Sequence, residues 1–362
     1  MRKITILRQK PFVSRLLKSW WDLQTMPRLE WMQIEVTTRC TAGCFYCPRT
    51  TYREDWENRD LSFEHFKAML PVMSKAKMVH LQGWGEPFLH SHLFDMIALA
   101  KKAGCMVGTT TNGMLLDRQR TARLIQSGID YVAFSLTGLG EKNDFARSGT
   151  RFSYILQVLS DLAMQKKALR VEKPVIGVAY LLLRSHLADL GQLVPTLAET
   201  GAQQVVVSTL DFFPRGNLRH ESLSPGNPSE YRDLKNVFDR LGIEAEKKGL
   251  DLFYNLVLPA DNGRSCTENP CRALFVSSDG SVSPCVFSHI PVSKSLHTGK
   301  ENEDEYPKII FGNLSDTRLP TIWKFREYRA FRKNFGKRPY ALCRRCLKRH
   351  QGANPSVLGL DG

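Results

Sequence analysis

No apolar run in the 362 residues approaches the roughly 18 needed to cross a bilayer, so no transmembrane segment is read. Glycine (25) and proline (18) are not in excess, and 42% hydrophobic with 24% charged residues is ordinary for a folded chain; fibrous, low-complexity and disordered classes are excluded. No stretch recurs at the spacing of a solenoid or propeller. A secretory h-region is also missing, because Arg8, Lys10, Arg15 and Lys18 interrupt the residues after the basic start Met1-Arg2-Lys3. The expected compartment is therefore the cytoplasm. None of the nine histidines stands at metal-ligand spacing. Acidic residues are scarce, 36 against 51 lysines and arginines, and the net charge of +15 suits an anionic partner without saying which.

The length exceeds what one hydrophobic core usually serves, so two domains, or a barrel with an appendage, are expected. Residues 1–30 form a basic N-terminal segment in which Phe12, Leu16 and Trp20 keep a helical spacing, suiting either a membrane-surface helix or a packing helix at a barrel bottom. Over 31–213, β-rich runs alternate with amphipathic helical patterns, the signature of parallel βα units. The strands are read at Met32 to Thr37, Met78 to Gln82, Met106 to Thr110, Tyr131 to Ser135, Val175 to Leu182 and Gln204 to Thr209. Six such units make a doubly wound sheet or a partial (β/α)6 TIM-like barrel, and in either the chemistry collects at the C-terminal ends of the strands. Residues 214–262 read as a Pro/Gly-rich linker with one helix and one strand-like run, Leu250 to Val257. From 263 to 362 the chain is poor in apolar residues and rich in cysteine, which a metal centre would staple.

Nine cysteines in a long chain without a signal point to metal or redox chemistry. Cys40, Cys44 and Cys47 fall within eight residues, directly after the first predicted strand. Three thiolates on one loop can hold three irons of a 4Fe-4S cube and leave the fourth iron open. Zinc would need a fourth ligand that His65 and His80 are not spaced to give, and three structural thiols are the remaining alternative.

This loop resembles that of the radical S-adenosylmethionine (radical SAM) enzymes, and the resemblance extends from residue 31 to about 213. It implies that the open iron chelates the amino and carboxylate groups of S-adenosylmethionine, whose reductive cleavage gives methionine and a 5′-deoxyadenosyl radical. The Gly83-Trp84-Gly85-Glu86-Pro87 stretch is similar to the family's Gly-Gly-Glu-Pro element, which binds the methionine amino group. Thr111-Asn112-Gly113 resembles the element beside the ribose and carboxylate, and Ser135 stands at the family's fourth-strand serine. Thr137 replaces the acid the family has nearby. Arg147 resembles an arginine that contacts the carboxylate, or is a solvated residue at a helix entry; Tyr46 matches the aromatic that packs on adenine.

The run from Cys271 to Cys285 reads as a hairpin around an Asp279-Gly280 turn, which brings its end cysteines together. With Cys343-Arg-Arg-Cys346, this is similar to the SPASM extension and its shortened Twitch form. The resemblance implies one auxiliary 4Fe-4S cluster on Cys271, Cys285, Cys343 and Cys346, with Cys266 in reserve and all-thiolate zinc as the alternative. Cys105 reads as apolar filler.

The expected activity is hydrogen abstraction by the 5′-deoxyadenosyl radical from a peptide or a small molecule such as a cofactor precursor, with an electron donor such as flavodoxin or ferredoxin. The competing reading is a tRNA-modifying radical enzyme or a cysteine-cluster nucleic-acid-binding module, since basic residues concentrate at 1–28 and 324–349.

Overall fold

The computed structural model describes residues 18, 20–212, 216–257, 266–292, 296–297, 305–306, 308–344 and 346–350. One sheet of ten strands organises them. Its strands are β1 (Leu29–Ile34), β2 (Ala76–Leu81), β3 (Met106–Thr111), β4 (Tyr131–Leu136), β5 (Val175–Leu182), β6 (Gln204–Thr209), β7 (Asp251–Tyr254), β8 (Ala273–Val276), β9 (Ser281–Ser283) and β10 (Gly312–Asn313). They lie in the order β10-β9-β8-β1-β2-β3-β4-β5-β6-β7. β1 to β7 follow one another as parallel neighbours. A doubly wound sheet reverses its strand order at a switch point, and this one does not. The winding is that of an incomplete barrel.

The connecting helices are α1 (Phe63–Met73), α2 (Leu93–Lys102), α3 (Arg118–Gln126), α4 (Phe152–Leu169), α5 (Leu190–Ala198) and α6 (Pro228–Lys247). α4 buries Phe152, Ile155, Leu159 and Leu162 along one stripe, with Leu156 partly buried beside them, and these join the main core between helices and sheet. α6 starts cleanly because the Asn227 side chain accepts from the backbone N–H groups of Ser229 and Glu230, at 3.0 Å each. On the opposite, inner face of the sheet a smaller cluster of Met78, Tyr131 and Ala133 fills the barrel floor. Tyr131 is paired with Val175, and its ring reaches along the neighbouring strand over Gly177, where a Cβ would stand 2.2 Å from the phenol oxygen. At the same floor the Asp22 carboxylate accepts from Thr321 (2.9 Å) and pairs with Lys324. Asp22, Leu23 and Met26 thus pack against the fold, whereas Trp20 of the N-terminal helical stripe is exposed, and Phe12 and Leu16 lie outside the described residues.

β1 runs three residues earlier than its periodicity suggested. Past Glu35 the hydroxyls take over from the ladder: Thr37 donates to Asp60 (2.6 Å) and Thr38 to the Glu57 carbonyl (2.6 Å), pulling the chain off the sheet. Leu250 to Val257 supplies β7, which adds to β6 in parallel. The hairpin forms, β8 against β9, but its end cysteines are not drawn together, since Cys271 turns to the Arg332 carbonyl; β8 also pairs in parallel with β1 from Trp31 to Ile34. The cysteine-rich region therefore extends the barrel sheet at its β1 edge. Among the described residues no helix is long and apolar enough to cross a membrane.

Candidate functional site

The loop that carries Cys40, Cys44 and Cys47 leaves the C-terminal end of β1 and is clamped from two sides. A Cβ on Gly85 would stand 2.3 Å from the Thr37 carbonyl oxygen and 2.6 Å from that of Arg39; one on Gly149, whose φ is +86°, would stand 2.8 Å from the Thr41 carbonyl oxygen. Only glycine permits these approaches. Gly83 is equally tight, against the Glu35 side chain at 2.3 Å. Gly43 and Cys44 pair antiparallel with Ser148 and Arg147, so an arginine far along the chain is registered opposite the middle cysteine. Cys47 then opens a short helix, Pro48–Thr51.

Glu86 is buried and works on the loop's far side. Its carboxylate accepts from the Asn112 backbone N–H (2.7 Å), the Thr111 hydroxyl (2.7 Å) and the Phe88 N–H (3.3 Å), and its own N–H donates to the Arg39 carbonyl (2.7 Å). Burial pushes this carboxyl up from the ordinary range against the pull of those donors. Asn112, so held, donates from Nδ2 to Thr41 Oγ1 (3.1 Å) and lies 3.8 Å from Cys40 Sγ. We expect Glu86→Gln to turn an NH₂ group toward one of these donors, to cost about 1–3 kcal/mol of stability, and to lower Tm. Calorimetry checks this, and an unchanged Tm would contradict it.

The solvated reading of Arg147 does not hold. Its side chain is buried, Nη1 donates to the Tyr46 hydroxyl (2.8 Å), and Nε has no hydrogen-bond partner among the described residues. Thr137, which stands where the family commonly has an acid, lies 2.8 Å from the same hydroxyl. Tyr46 is thereby held between the cysteine loop and the end of β4, and burial raises its phenol. Ser135 lies half-buried near the end of that strand. Burial, followed by the nearby Cys44 thiol, pushes Cys47 up to about 12, and burial likewise raises Cys40. Cys40 and Cys47 both lie in the field of Cys44, which stands beside the buried Arg147 guanidinium. Among the described residues no three Cys, His, Asp or Glu side chains converge as a single ion would require.

At the β1 edge, Glu35 joins the two halves of the molecule. One carboxylate oxygen accepts from the Trp84 N–H (2.9 Å) and the other from the N–H and hydroxyl of Ser278 in the hairpin turn, both at 3.2 Å. Trp84 Nε1 donates to the His289 carbonyl (3.0 Å), and its ring packs with Phe212 and Phe287, with centroids 6.1 and 5.9 Å away. Sequence reasoning missed Glu35; the available signal was a carboxylate directly after the first strand, between the apolar Ile34 and Val36.

Of the late cysteines, Cys285 lies in the field of Cys346, Cys266 and Cys343, with burial and Glu268 the larger causes of its raised thiol. Cys346, pushed up to about 12 mainly by burial, also feels Cys343. Cys271 lies apart: its thiol donates to the Arg332 carbonyl at 3.7 Å, and the one charge acting on it is Arg332. Cys105 is buried, with its thiol on the Ala100 carbonyl at 3.2 Å, as filler should be.

An incomplete parallel barrel with a three-cysteine loop at its mouth and a second thiol group on its edge defines a class of iron-sulfur enzyme. Residues 34–167 match the Radical SAM superfamily, and residues 266–347 match SPASM, an iron-sulfur cluster-binding domain. The chain belongs to the radical SAM superfamily and carries a C-terminal SPASM domain. It is 25% identical over 337 residues to the tungsten-containing aldehyde ferredoxin oxidoreductase cofactor-modifying protein of Pyrococcus furiosus, covering 89% of this chain and 88% of that one. It is 27% identical over 300 residues to the Fe-coproporphyrin III synthase of Methanosarcina barkeri, covering 80% and 72%. SuiB of Streptococcus suis bound to S-adenosylmethionine shares the fold, with a TM-score of 0.61 at 13% identity over 88% of this chain and 71% of that one.

Proposed function

We propose that this radical SAM enzyme binds its cluster on Cys40, Cys44 and Cys47, binds S-adenosylmethionine across Tyr46, Gly83, Gly85, Glu86, Thr111, Asn112, Ser135 and Arg147, and takes a hydrogen atom from a peptide or cofactor-precursor substrate at the barrel mouth. The observation that carries the reading is the clamped cysteine loop with Asn112 and the buried Arg147 against it. The donor set fits a cube: burial and the neighbouring thiols make Cys40 and Cys47 costly to ionise, and an iron cluster would supply the positive charge that offsets this. A cluster held by these three cysteines would supply a coordination site for S-adenosylmethionine and the electron for its reductive cleavage.

The chain's own residues do the rest. Arg147 neutralises charge beside Cys44 and has an unused N–H to offer a carboxylate. Asn112 orients the Cys40 end of the loop, and Glu86 keeps Asn112 in place. Trp84, Phe212 and Phe287 keep water from the mouth where a radical must survive. The auxiliary 4Fe-4S cluster draws on Cys285, Cys343 and Cys346 with a fourth thiol from Cys266 or Cys271, and the charge neighbourhood favours Cys266. Residues 31–213 are the radical-generating unit, and residues 263–362 bring the second cluster to its edge.

Anaerobically reconstituted protein with dithionite should convert S-adenosylmethionine to methionine and 5′-deoxyadenosine, and should hold about eight iron and eight sulfide per chain if both cubes form. About four iron with one zinc would give the second site to zinc instead. No 5′-deoxyadenosine from iron-loaded protein would sink the reading.

A further inference from the structure

The mouth of the barrel holds buried charge in Glu35, Glu86 and Arg147, and the walls below it hold none. Along β1 to β6, the residues that alternate inward with Met78, Tyr131 and Ala133 include no Asp, Glu, Lys or Arg. The outward alternates, among them Leu81, Phe134, Tyr180 and Val207, are buried beneath the helices. Inward-facing Gln33, His80, Thr110, Ser135, Leu181 and Ser208 are only half-buried. Exposure at inward positions means open space inside the barrel, above its floor.

β3 is shaped around His80. The register partner of His80 is Gly108, where a Cβ would stand 2.9 Å from the imidazole Nδ1. Without that Cβ the ring lies across β3, and Nε2 is hydrogen-bonded to Thr110 Oγ1 at 3.0 Å. On the other side, Gln33 of β1 is paired with His80 in register. Removal from water pulls His80 down to about 4 against the opposing effect of Gln82, so the ring is neutral near neutral pH. A neutral imidazole, a hydroxyl and an amide offer donors and acceptors with no net charge. A carboxylate, phosphate or ammonium entering this space would lose its water and meet no counter-charge on these walls, which is unfavourable. We propose that His80, with Gln33 and Thr110, determines substrate specificity by hydrogen-bonding an uncharged hydroxyl or amide, so that the part of the substrate inside the barrel carries no carboxylate, phosphate or ammonium.

The proposal rests on the radical SAM reading and names what the barrel admits. The transfer keeps its balance: one C–H bond of the guest breaks homolytically, one C–H bond forms at the 5′-carbon, and a neutral carbon radical remains on the guest.

The test uses reconstituted holoenzyme with S-adenosylmethionine and dithionite, and three probes of similar size deuterated at the carbinol carbon: glycerol, lactate and ethanolamine. The readout is the fraction of 5′-deoxyadenosine that carries deuterium, which a loss of turnover alone does not move. Glycerol should label the product, and lactate and ethanolamine should label it at least about tenfold less, although lactate has the weakest C–H bond of the three. In His80→Ala the label from subsaturating glycerol should fall about fivefold, as expected for one hydrogen bond, and His80→Gln, which keeps a neutral donor and acceptor, should largely restore it. Deuterated N-acetylserinamide labelling better than glycerol would assign the neutral group to a peptide, and the reverse to a small molecule. Labelling by lactate or ethanolamine as strong as that by glycerol overturns the proposal, as does full labelling in His80→Ala or none from either neutral probe. If wild type forms no 5′-deoxyadenosine at all, the radical reading falls and takes the proposal with it; 5′-deoxyadenosine formed without the expected label removes the proposal alone.

Discussion

Cys44→Ala is expected to abolish 5′-deoxyadenosine formation while the chain remains folded. Three thiolates are the minimum that holds a cube with one open iron, and removing one leaves two irons exposed to solvent and loss. Cys44 is the most telling of the three, because its backbone is paired with Arg147 and its side chain is buried. The barrel itself does not depend on it: the core runs between helices and sheet, away from the loop. Circular dichroism should therefore match wild type, while iron falls from about eight to about four per chain. Asn112→Ala should be milder, about 10–100-fold down in iron affinity or turnover, since it removes an orienting contact and no ligand. Equal turnover by Cys44→Ala and wild type would take this loop out of the chemistry and require another radical source.

What was legible in the sequence follows from how local each signal was. Val175–Leu182 and Gln204–Thr209 form strands over the residues read, because each is an uninterrupted β-rich run bounded by turn residues. The frame of β1 shifts because Glu35 to Thr38 are compatible with a strand by type, while hydroxyl contacts with Glu57 and Asp60 and backbone bonds to Arg59 and Leu61 draw them away. The Gly83 to Pro87 stretch is legible by its resemblance to a binding element; the structure adds a packing reason for its glycines, since Gly85 faces the backbone of Thr37 and Arg39. Arg147 was left ambiguous between a bound and a solvated residue because its partner strand at Gly43 and Cys44 is about a hundred positions away. Thr137 looked like a missing acid and is instead a hydroxyl beside Tyr46. The pairing of β8 with β1, which puts the hairpin on the barrel edge, leaves no trace in any local periodicity.

Replacing Cys266 should remove the auxiliary iron, and replacing Cys271 should not. Five thiols are near the second centre and a cube takes four. Cys271 and Cys285 bound the hairpin, which made them natural partners to Cys343 and Cys346 on sequence grounds. In the fold, β8 and β9 are short, and the chain beyond Ser283 turns through a 3-10 segment, Val286–Ser288, so the cysteines at the hairpin ends need not face each other. The Cys285 thiol feels Cys346, Cys266 and Cys343, and the Cys266 thiol feels Cys346. Cys271 is turned to the Arg332 carbonyl. On that arrangement Cys266→Ala and Cys346→Ala should each lower iron from about eight to about four per chain, and should loosen the fold of the C-terminal region, because metal binding there is also folding energy. Cys271→Ala should keep about eight iron and lose only a weak thiol contact. Limited proteolysis of residues 266–350 reads the folding consequence separately from iron content. Full iron in Cys266→Ala together with half in Cys271→Ala would return Cys271 to the ligand set, and would mean that loading the cluster swings its thiol away from Arg332 and toward Cys285.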